Sequence, residues 1–315
     1  METYTFQQAK PVWAVGRQTE WNLHLGFRAF VEGKTQAKLC LACATTYQLY
    51  VNNVYVTYGP ARAAHGYYRV DEVDLSGYLM EGRNTIAIMV ASYNVGSYAL
   101  LDQPGFLTAE IVRDGAVLAA TGVSGFDCLE LKEFVQKVQR FSYQRAFGES
   151  MRLDAHTYDW RTGGDFTSIP LELCGEKAYL PRRVEFPCTE VAPATKIVSR
   201  GSHVPYRPEK FRRPWGLNVT TPGYKQYKDE ELTERLSEEI QSMKYQLEDT
   251  EEVPASPQTL SAGRFAVYSL GRDYTGMIHF HAVCRKPTVF YVMFDEILRD
   301  GVVDPVRYSC VAAMK

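Results

Sequence analysis

Carboxylates are the residues of this sequence with the clearest chemical potential, because two opposed acids can cleave a glycosidic bond. Asp295 and Glu296 are adjacent in FYVMFDEILRDG, which predicts a strand. Neighbouring residues on a strand point to opposite faces, so these two acids cannot flank one bond by themselves. Glu149, Asp154 and Asp159 lie in a second acidic stretch, FGESMRLDAHTYDWRTG, where anchoring of a loop is the simpler interpretation. Either Asp295 or Glu296 could work with a distant partner, but structural hydrogen bonding is the simpler interpretation.

Two residue pairs could ligate a metal. His279 and His281 would share one face of a strand, but no third ligand is evident nearby. Cys40 and Cys43 form a C-x-x-C in AKLCLACATTYQLYV, which also predicts a strand. Residues three apart on a strand face opposite ways, so these thiols are better explained as small buried hydrophobic residues. The sequence thus predicts no metal site and no cofactor, and it lacks a G-x-S-x-G motif, a P-loop and a dinucleotide-binding glycine motif.

A set of aromatic and polar residues is the best candidate for a binding site. It consists of Tyr55, Tyr58, Arg62, His65, Tyr67 and Tyr68. Such rings can stack on the apolar face of a pyranose while Arg and His bond its hydroxyl groups. Alternatively, the tyrosines only pack a sandwich or line a domain interface. Within the set we single out Tyr58, Arg62, His65 and Tyr67 as candidate carbohydrate-binding residues.

The elements that must position these residues are predicted to be strands. Aromatic residues make up 13% of the chain, and they favour pleated, half-buried surfaces. YQLYVNNVYVTYGP, residues 47–60, alternates apolar and polar residues on either side of Asn52-Asn53, which predicts a hairpin. Asp114-Gly115 marks a second hairpin, since Asp-Gly supplies the positive φ of a type I′ turn. We predict that residues 1–190 form a jelly-roll or galactose-binding-like β-sandwich, an architecture that suits carbohydrate binding.

Residues 191–258 are predicted to be a Pro-rich linker followed by one amphipathic helix. The helix is predicted over DEELTERLSEEIQSMKYQLED, residues 229–249, where acids crowd the first turn. Its apolar stripe comprises Leu232, Leu236, Ile240, Met243 and Leu247. This stripe could dock on a sheet or form a short coiled-coil seam.

Residues 259–315 are predicted to begin a second β-sandwich. RFAVYSLGRDYTGMIHFHAVCRKPTVFYVMFDEILRDG predicts three strands, with turns at Gly271 and at Lys286-Pro287. A complete sandwich needs about 100 residues, so this second unit is incomplete or shares a sheet with an earlier part of the chain. The predicted fold class is therefore all-β, with a first sandwich, a second incomplete one and one linking helix.

Composition narrows the function classes. With 35 basic and 37 acidic residues among 315, the chain has a formal net charge of -2, which argues against an electrostatic nucleic-acid surface. No apolar run approaches the ~18 residues of a membrane span, and the first residues lack the pattern of a signal peptide. The 7 Cys are scattered, which favours a reducing compartment. We predict a cytoplasmic protein without nucleic-acid or membrane partners, while a periplasmic or secreted location stays open.

Several stretches resemble a known family. YQLYVNNVYVTYGPAR followed by YYRVDEVDLSGYLMEGRNTIAIMV is similar to the N-terminal β domain of bacterial α-L-rhamnosidases. SLGRDYTGMIHFHAVCRKPTVFYVMFDEILRDG resembles the β-sandwich segment ahead of their catalytic domain. The matching positions are Gly271, Gly276, Glu296, Leu298 and Gly301. The first domain alone also resembles sugar-binding domains of β-galactosidase-like enzymes.

The resemblance implies a part of an enzyme rather than a whole one. Asn53 replaces the usual turn glycine, and Ser269 stands where the family often has Asp. The family's catalytic acids lie in a six-hairpin α/α barrel that follows this segment, and no run of barrel helices is predicted here. The parent enzyme is expected to hydrolyse terminal α-L-rhamnosides by an acid-assisted, inverting route. No catalytic residue is carried over to this chain.

The sequence therefore predicts the non-catalytic N-terminal β portion of an α-L-rhamnosidase-like glycoside hydrolase, inactive by itself. Its expected partners are a rhamnose-containing glycan and its own downstream catalytic domain. One alternative is a free-standing carbohydrate-binding module, and another is a purely structural module that docks on a barrel through an apolar face.

Overall fold

The computed structural model describes residues 2–212, 223–304 and 311–315. It is nearly all β, with 37% strand and 4% helix, which confirms the predicted fold class. The strands in chain order are β1 (Val12–Ala14), β2 (Leu23–Glu32), β3 (Lys38–Cys43), β4 (Thr46–Val51), β5 (Val54–Gly59), β6 (Tyr67–Asp74), β7 (Arg83–Ser92), β8 (Leu107–Arg113), β9 (Ala116–Ala120), β10 (Asp127–Glu130), β11 (Glu149–Met151), β12 (Leu171–Leu173), β13 (Ala178–Pro181), β14 (Lys196–Pro205), β15 (Met243–Asp249), β16 (Val253–Pro254), β17 (Arg264–Ser269), β18 (Phe290–Met293) and β19 (Val311–Met314).

Helical structure is confined to short pieces within the described ranges. Helix α1 spans Leu236–Gln241, and 3₁₀ turns span Asp159–Thr162 and Asp229–Glu231. No helix in these ranges is long and apolar enough to cross a membrane.

The chain divides into two compact units. The first comprises Met1–Gln136 and Leu153–Thr189, and the second comprises Lys137–Arg152 and Glu190–Lys315. The three-part division predicted from the sequence, at residues 190 and 258, stays a prediction, as does the jelly-roll connectivity.

The first unit is a sandwich of two sheets. A seven-stranded sheet has the order β12-β1-β8-β3-β6-β13 with β9 paired to β8, and a five-stranded sheet has the order β10-β2-β7-β4-β5. Alternate residues of each strand enter the core between them, as Leu25 and Phe27 of β2 and Leu39 and Leu41 of β3 do. The intervening residues of the five-stranded sheet face the other way, and we call that side its outer face.

The two hairpin turns predicted for this unit and the opposite orientation of its two cysteines on β3 are confirmed. Asn52 and Asn53 adopt φ values of 51° and 63° between β4 and β5, and Asp114 adopts 50° between β8 and β9. Asn and Asp tolerate this left-handed region because their short side chains bond locally. Cys40 and Cys43 pack in two different apolar clusters, as expected for residues on opposite faces of β3.

The second unit contains two small sheets. One is four-stranded, with β14 in the middle between β15 and β16 on one side and β17 on the other, and the second has the order β11-β19-β18. Leu236 of α1 packs with Phe141 and Ala313. The buried Glu234 carboxylate, just before α1, lies 3.0 Å from both Arg152 and Lys315 and accepts a hydrogen bond from Ser150. These contacts tie α1 to its neighbouring sheet.

The long helix predicted over residues 229–249 is wrong in extent. Only Leu236–Gln241 is α-helical, and Met243–Asp249 forms strand β15, paired antiparallel to β14. The same stretch satisfies two periods, because Met243, Tyr245 and Leu247 also alternate along a strand. Most of the stability of a helix in a protein comes from packing of its apolar face, and here residues 243–249 instead form backbone hydrogen bonds along one edge of β14.

The middle strand predicted between Gly271 and Lys286 is also wrong. The described residues 270–289 contain no strand, and both His279 and His281 are exposed in irregular backbone. Both edges of β14 are taken by β15, β16 and β17, and in the described residues the 270–289 segment does not pair with the outer edge of any of these strands. The histidines therefore do not share the face of a strand.

Candidate functional site

The four residues predicted to bind carbohydrate lie on different elements. Tyr58 is on β5 of the five-stranded sheet, Arg62 and His65 are exposed in the loop after it, and Tyr67 begins β6 of the seven-stranded sheet. Across the described ranges, no hydrogen bond or ring contact joins these side chains to one another. The structure therefore separates Tyr58 from the remaining three.

Tyr58 belongs to a group of tyrosines on the outer face. In the β4–β5 pairing it lies opposite Gln48, and Tyr55 lies opposite Tyr50. Cross-strand partners share a face, so these side chains stand together on the side away from the core. The rings of Tyr50 and Tyr55 meet edge to face, with centroids 5.6 Å apart, and the Tyr50 hydroxyl donates to Gln48 Oε1 at 2.6 Å.

A segment distant in sequence completes this surface. The guanidinium carbon of Arg161 lies 4.0 Å from the ring centroid of Tyr50 and 4.3 Å from that of Tyr158, so the cation is held between two rings. The 3₁₀ turn orients it, because the Arg161 N–H donates to the Tyr158 carbonyl at 3.0 Å. Arg161 is 7% exposed, whereas Tyr158 is 38% exposed. We call Tyr50, Tyr55, Tyr58, Tyr158 and Arg161 the tyrosine face.

Trp160 seats this segment on the sheet. Its ring packs with Ala87, Met89 and Leu129 and is 3% exposed. Gly26 of β2 leaves the necessary room, since a Cβ there would stand 3.0 Å from the indole. Arg28, also on β2, holds the end of the segment by donating to the Gly164 carbonyl at 2.6 Å.

Burial keeps the phenols of Tyr50 and Tyr55 uncharged beside the Arg161 cation. Burial raises the pKa of Tyr50, and the nearby Arg161 opposes that rise. Burial, with contributions from Tyr50 and Tyr58, raises the pKa of Tyr55 to about 12. The two phenols therefore stay protonated at neutral pH, able to donate and accept hydrogen bonds but not to act as bases. The arrangement suits stacking and hydrogen bonding of a polyhydroxylated ligand.

The carboxylates considered in the sequence take local structural roles. Asp154 accepts the His156 backbone N–H at 2.8 Å, and Asp159 pairs with the His156 ring at 2.8 Å on the surface. Asp295 accepts the backbone N–H of Glu296 at 2.7 Å; Asp295 is half-buried and Glu296 is exposed. Glu149 is exposed on β11. In the portion of the chain that the structure describes, no three His, Cys, Asp or Glu side chains converge as metal ligands.

Sequence reasoning missed Tyr158, Trp160 and Arg161. They lie in HTYDWRTGGDF, which reads as a loop. The interleaving of aromatic residues with an arginine was the available signal for a binding surface. Nothing in the sequence places this loop over β4, because the contact spans more than 100 positions.

Comparison with known families finds one matching model. Residues 27–121 match the family described as glycosyl hydrolases family 2, sugar binding domain. The match lies within the first unit and includes Tyr50, Tyr55 and Tyr58. No curated protein matches the sequence.

Solved structures of rhamnosidases resemble the chain. The GH78 family rhamnosidase of Bacillus sp. GL1 is 26% identical over 66% of this chain, with a TM-score of 0.57. The α-L-rhamnosidase of Aspergillus terreus is 15% identical over 69% of this chain and 29% of its own, with a TM-score of 0.41. That of Streptomyces avermitilis, solved with L-rhamnose, is 14% identical over 75% of this chain and 26% of its own, with a TM-score of 0.39.

The predicted resemblance to a rhamnosidase β region is confirmed by the Bacillus structure together with the sugar-binding family model. The chain spans 23% of the length of the Bacillus enzyme. The chain therefore corresponds to a minor part of that enzyme.

Proposed function

We propose that this chain is the non-catalytic β portion of an α-L-rhamnosidase-like glycoside hydrolase. The observation that carries the proposal is the similarity to the Bacillus GH78 rhamnosidase, at 26% identity over 66% of this chain. The carboxylates of Asp154, Asp159 and Asp295 have local partners, which supports placing the catalytic carboxylates elsewhere in the parent enzyme. Its partners would be a rhamnose-containing glycan and a downstream catalytic domain.

Turnover by the purified chain tests this proposal. We expect residues 1–315 to release no nitrophenol from 4-nitrophenyl α-L-rhamnopyranoside above the buffer rate. Measurable, enzyme-proportional hydrolysis would overturn the non-catalytic role. A coding sequence that continues past Lys315 into a series of helical hairpins would support the parent enzyme.

Within that role, the tyrosine face is the surface we propose to contact glycan. Exposed ring edges around a cation provide stacking area and hydrogen-bonding groups, the combination that sugar sites use. Tyr58 thereby keeps its predicted role. Arg62, His65 and Tyr67 stay candidates for a separate contact near the β5–β6 loop.

A pair of equally exposed tyrosines makes this contact testable. Tyr158 and Tyr78 are both 38% exposed and both belong to the first unit, but Tyr78 is not part of the tyrosine face. Calorimetric titration with methyl α-L-rhamnopyranoside should show about fivefold weaker binding for Tyr158→Ala, since losing one stacked ring costs roughly 1 kcal/mol. Tyr78→Ala should bind like the unaltered chain, and equal losses in both variants would contradict the assignment.

A second candidate function is carbohydrate binding by a free-standing module, and the match to a sugar-binding family model favours it. It predicts binding of the same glycans with no catalytic partner in the same polypeptide. An open reading frame that stops after Lys315 in the source gene, together with glycan binding, would favour this candidate over the first.

A further inference from the structure

Buried polar atoms without hydrogen bonds are concentrated behind the tyrosine face. Among the described residues, eight buried side-chain N or O atoms lack a hydrogen-bond partner. They are Trp13 Nε1, Arg28 Nε, Asp71 Oδ1, Glu133 Oε1, Trp160 Nε1, Arg161 Nε, Arg182 Nη1 and Gln226 Oε1. Asp71 Oδ1 and Arg182 Nη1 lie 2.8 Å apart as an ion pair, which accounts for two of them. Four of the remaining six belong to the outer face of the five-stranded sheet or to the segments that cover it.

Three of those four, in Glu133, Trp160 and Arg161, belong to two neighbouring segments that cover the outer face. Trp160 packs in one apolar cluster with Leu131 and Phe134, which flank Glu133 in sequence. The guanidinium carbon of Arg161 lies 5.5 Å from the Trp160 ring centroid. Burial raises the pKa of Glu133, and Arg161 lowers it. The carboxylate and the guanidinium therefore interact electrostatically.

Leaving such atoms unpaired is unfavourable. A buried donor or acceptor that loses water and gains no partner pays its full desolvation cost, and native proteins keep few of them. Two N–H donors and a carboxylate oxygen gathered under one cover therefore form an incomplete hydrogen-bond set that a ligand can complete.

The balance of donors and acceptors indicates the class of ligand. A hydroxyl group both donates and accepts, so it can take the Arg161 or Trp160 N–H and give its own proton to Glu133. A carboxylate or phosphate only accepts, would leave Glu133 unpaired and would be repelled by it. The Tyr50 and Tyr158 rings beside Arg161 add apolar surface for a sugar ring.

We propose that Glu133, Trp160 and Arg161 form a recognition site for the hydroxyl groups of a neutral saccharide, reached when the 158–164 segment lifts from the sheet. The proposal rests on the glycan contact proposed above and assigns it a polar centre. Gly163, at φ 91°, and Gly164 follow the 3₁₀ turn, and lifting of the segment would break the hydrogen bond from Arg28 to the Gly164 carbonyl. Lifting would expose Trp160, which is 3% exposed in the closed form.

The site can be tested by substitutions that remove the indole N–H of Trp160 or the carboxylate charge of Glu133. We would titrate the full chain with methyl α-L-rhamnopyranoside, D-galactose and D-galacturonate, following heat and tryptophan emission. Trp160→Phe and Glu133→Gln should each weaken binding of the preferred neutral sugar by about tenfold. Trp160→Phe should also abolish the sugar-induced change in emission.

Trp13→Phe is the matched control, because Trp13 has an equally unpaired indole N–H but lies in the core between the sheets. It should retain the affinity of the unaltered chain, with thermal unfolding confirming that every variant is folded. Unchanged sugar binding by both Trp160→Phe and Glu133→Gln would overturn this site, because it would mean that no sugar hydroxyl group occupies it. That outcome would leave the proposed glycan contact of the tyrosine face intact. Tighter binding of D-galacturonate than of D-galactose would overturn the neutral class. No binding of any of the three sugars would overturn the glycan contact itself, and this site with it.

Discussion

At the scale of single residues, Asn84 organises the loops at one end of the first unit. Its side chain is fully buried, and its amide donates to the carbonyls of Met80 at 2.8 Å and Gly82 at 3.1 Å. Its Oδ1 accepts from the Met80 N–H and from the Asn52 amide, both at 2.8 Å. Asn84 on β7 thus connects the loop before β7 with the β4–β5 turn through its buried side chain.

Removing the Asn84 side chain should destabilise the first unit. Asn84→Ala should lower the free energy of unfolding of the first unit by about 3 kcal/mol, because several backbone groups lose their partner inside the protein. Glu81→Ala, an exposed change in the same loop, is the control and should have little effect. Urea unfolding followed by fluorescence measures both, and near-equal stabilities would refute the role of Asn84.

His24 should make the first unit sensitive to acid. It is buried on the outer face, stacked on Phe134 with centroids 4.2 Å apart, and burial lowers its pKa from 6.5 to about 4. Between those values the unfolded chain binds the proton and the folded chain does not, so stability falls as pH falls from 6.5 to 4. The loss is at most about 3 kcal/mol.

Substitution isolates this effect. His24→Gln should flatten the dependence of the unfolding free energy on pH between 6.5 and 4, since that group no longer titrates. His65→Gln, at an exposed position, should retain the slope of the unaltered chain. If both variants kept the same slope, the buried imidazole would not be its source.

At the scale of elements, β14 shows why the second unit forms a sheet where a helix was predicted. It pairs with β15 and β17 along most of its length, and Gly201 sits at an irregularity in the β15 register. A Cβ at Gly201 would lie 2.2 Å from the Gln246 carbonyl oxygen and 2.7 Å from the Phe265 ring. Close approach of three strands therefore depends on the missing side chain.

Gly201→Ala should break this packing. A backbone atom cannot yield as a flexible side chain does, so we expect a loss of more than about 2 kcal/mol in the second unit. Gly276→Ala is the matched control in the same unit, because no atom lies within 4 Å of its added Cβ. Thermal unfolding of both variants provides the comparison, and equal midpoints would contradict the structure at β14.

At the scale of the whole molecule, the chain does not finish one unit before beginning the other. Residues 137–152 belong to the second unit, although the first unit resumes at Leu153. Strand β11 pairs in parallel with β19, joining Glu149–Met151 to residues 312–314. A cut at residue 190, the boundary predicted from the sequence, would leave residues 137–152 without these partners.

Limited proteolysis can show this dependence. In a chain truncated after Thr189 we expect rapid cleavage within residues 137–152, while the remainder of the first unit resists. In the full chain the same bonds should be protected by β19 and α1. Mass spectrometry of the fragments distinguishes the two, and equal protection would mean that residues 137–152 fold with the first unit.

The sequence by itself determined the features that depend on neighbours along the chain. Asn52-Asn53 and Asp114-Gly115 form turns where predicted, because these residues tolerate positive φ, and the predicted divergence of Cys40 and Cys43 on β3 is confirmed. The motifs of the first domain indicated a sugar-binding sandwich, and the C-terminal motif around Gly271 and Glu296 added the resemblance to a rhamnosidase β region, which the Bacillus structure supports.

Only the tertiary structure decided what depends on distant partners. Residues 243–249 fit the periods of both a helix and a strand, and pairing with β14 makes them a strand, whereas the described segment around His279 pairs with no strand. The tyrosine face likewise required Arg161 to meet Tyr50 from across the sequence. Such contacts are set by backbone pairing and burial between separate segments, and one-dimensional periodicity carries no information about which segments meet.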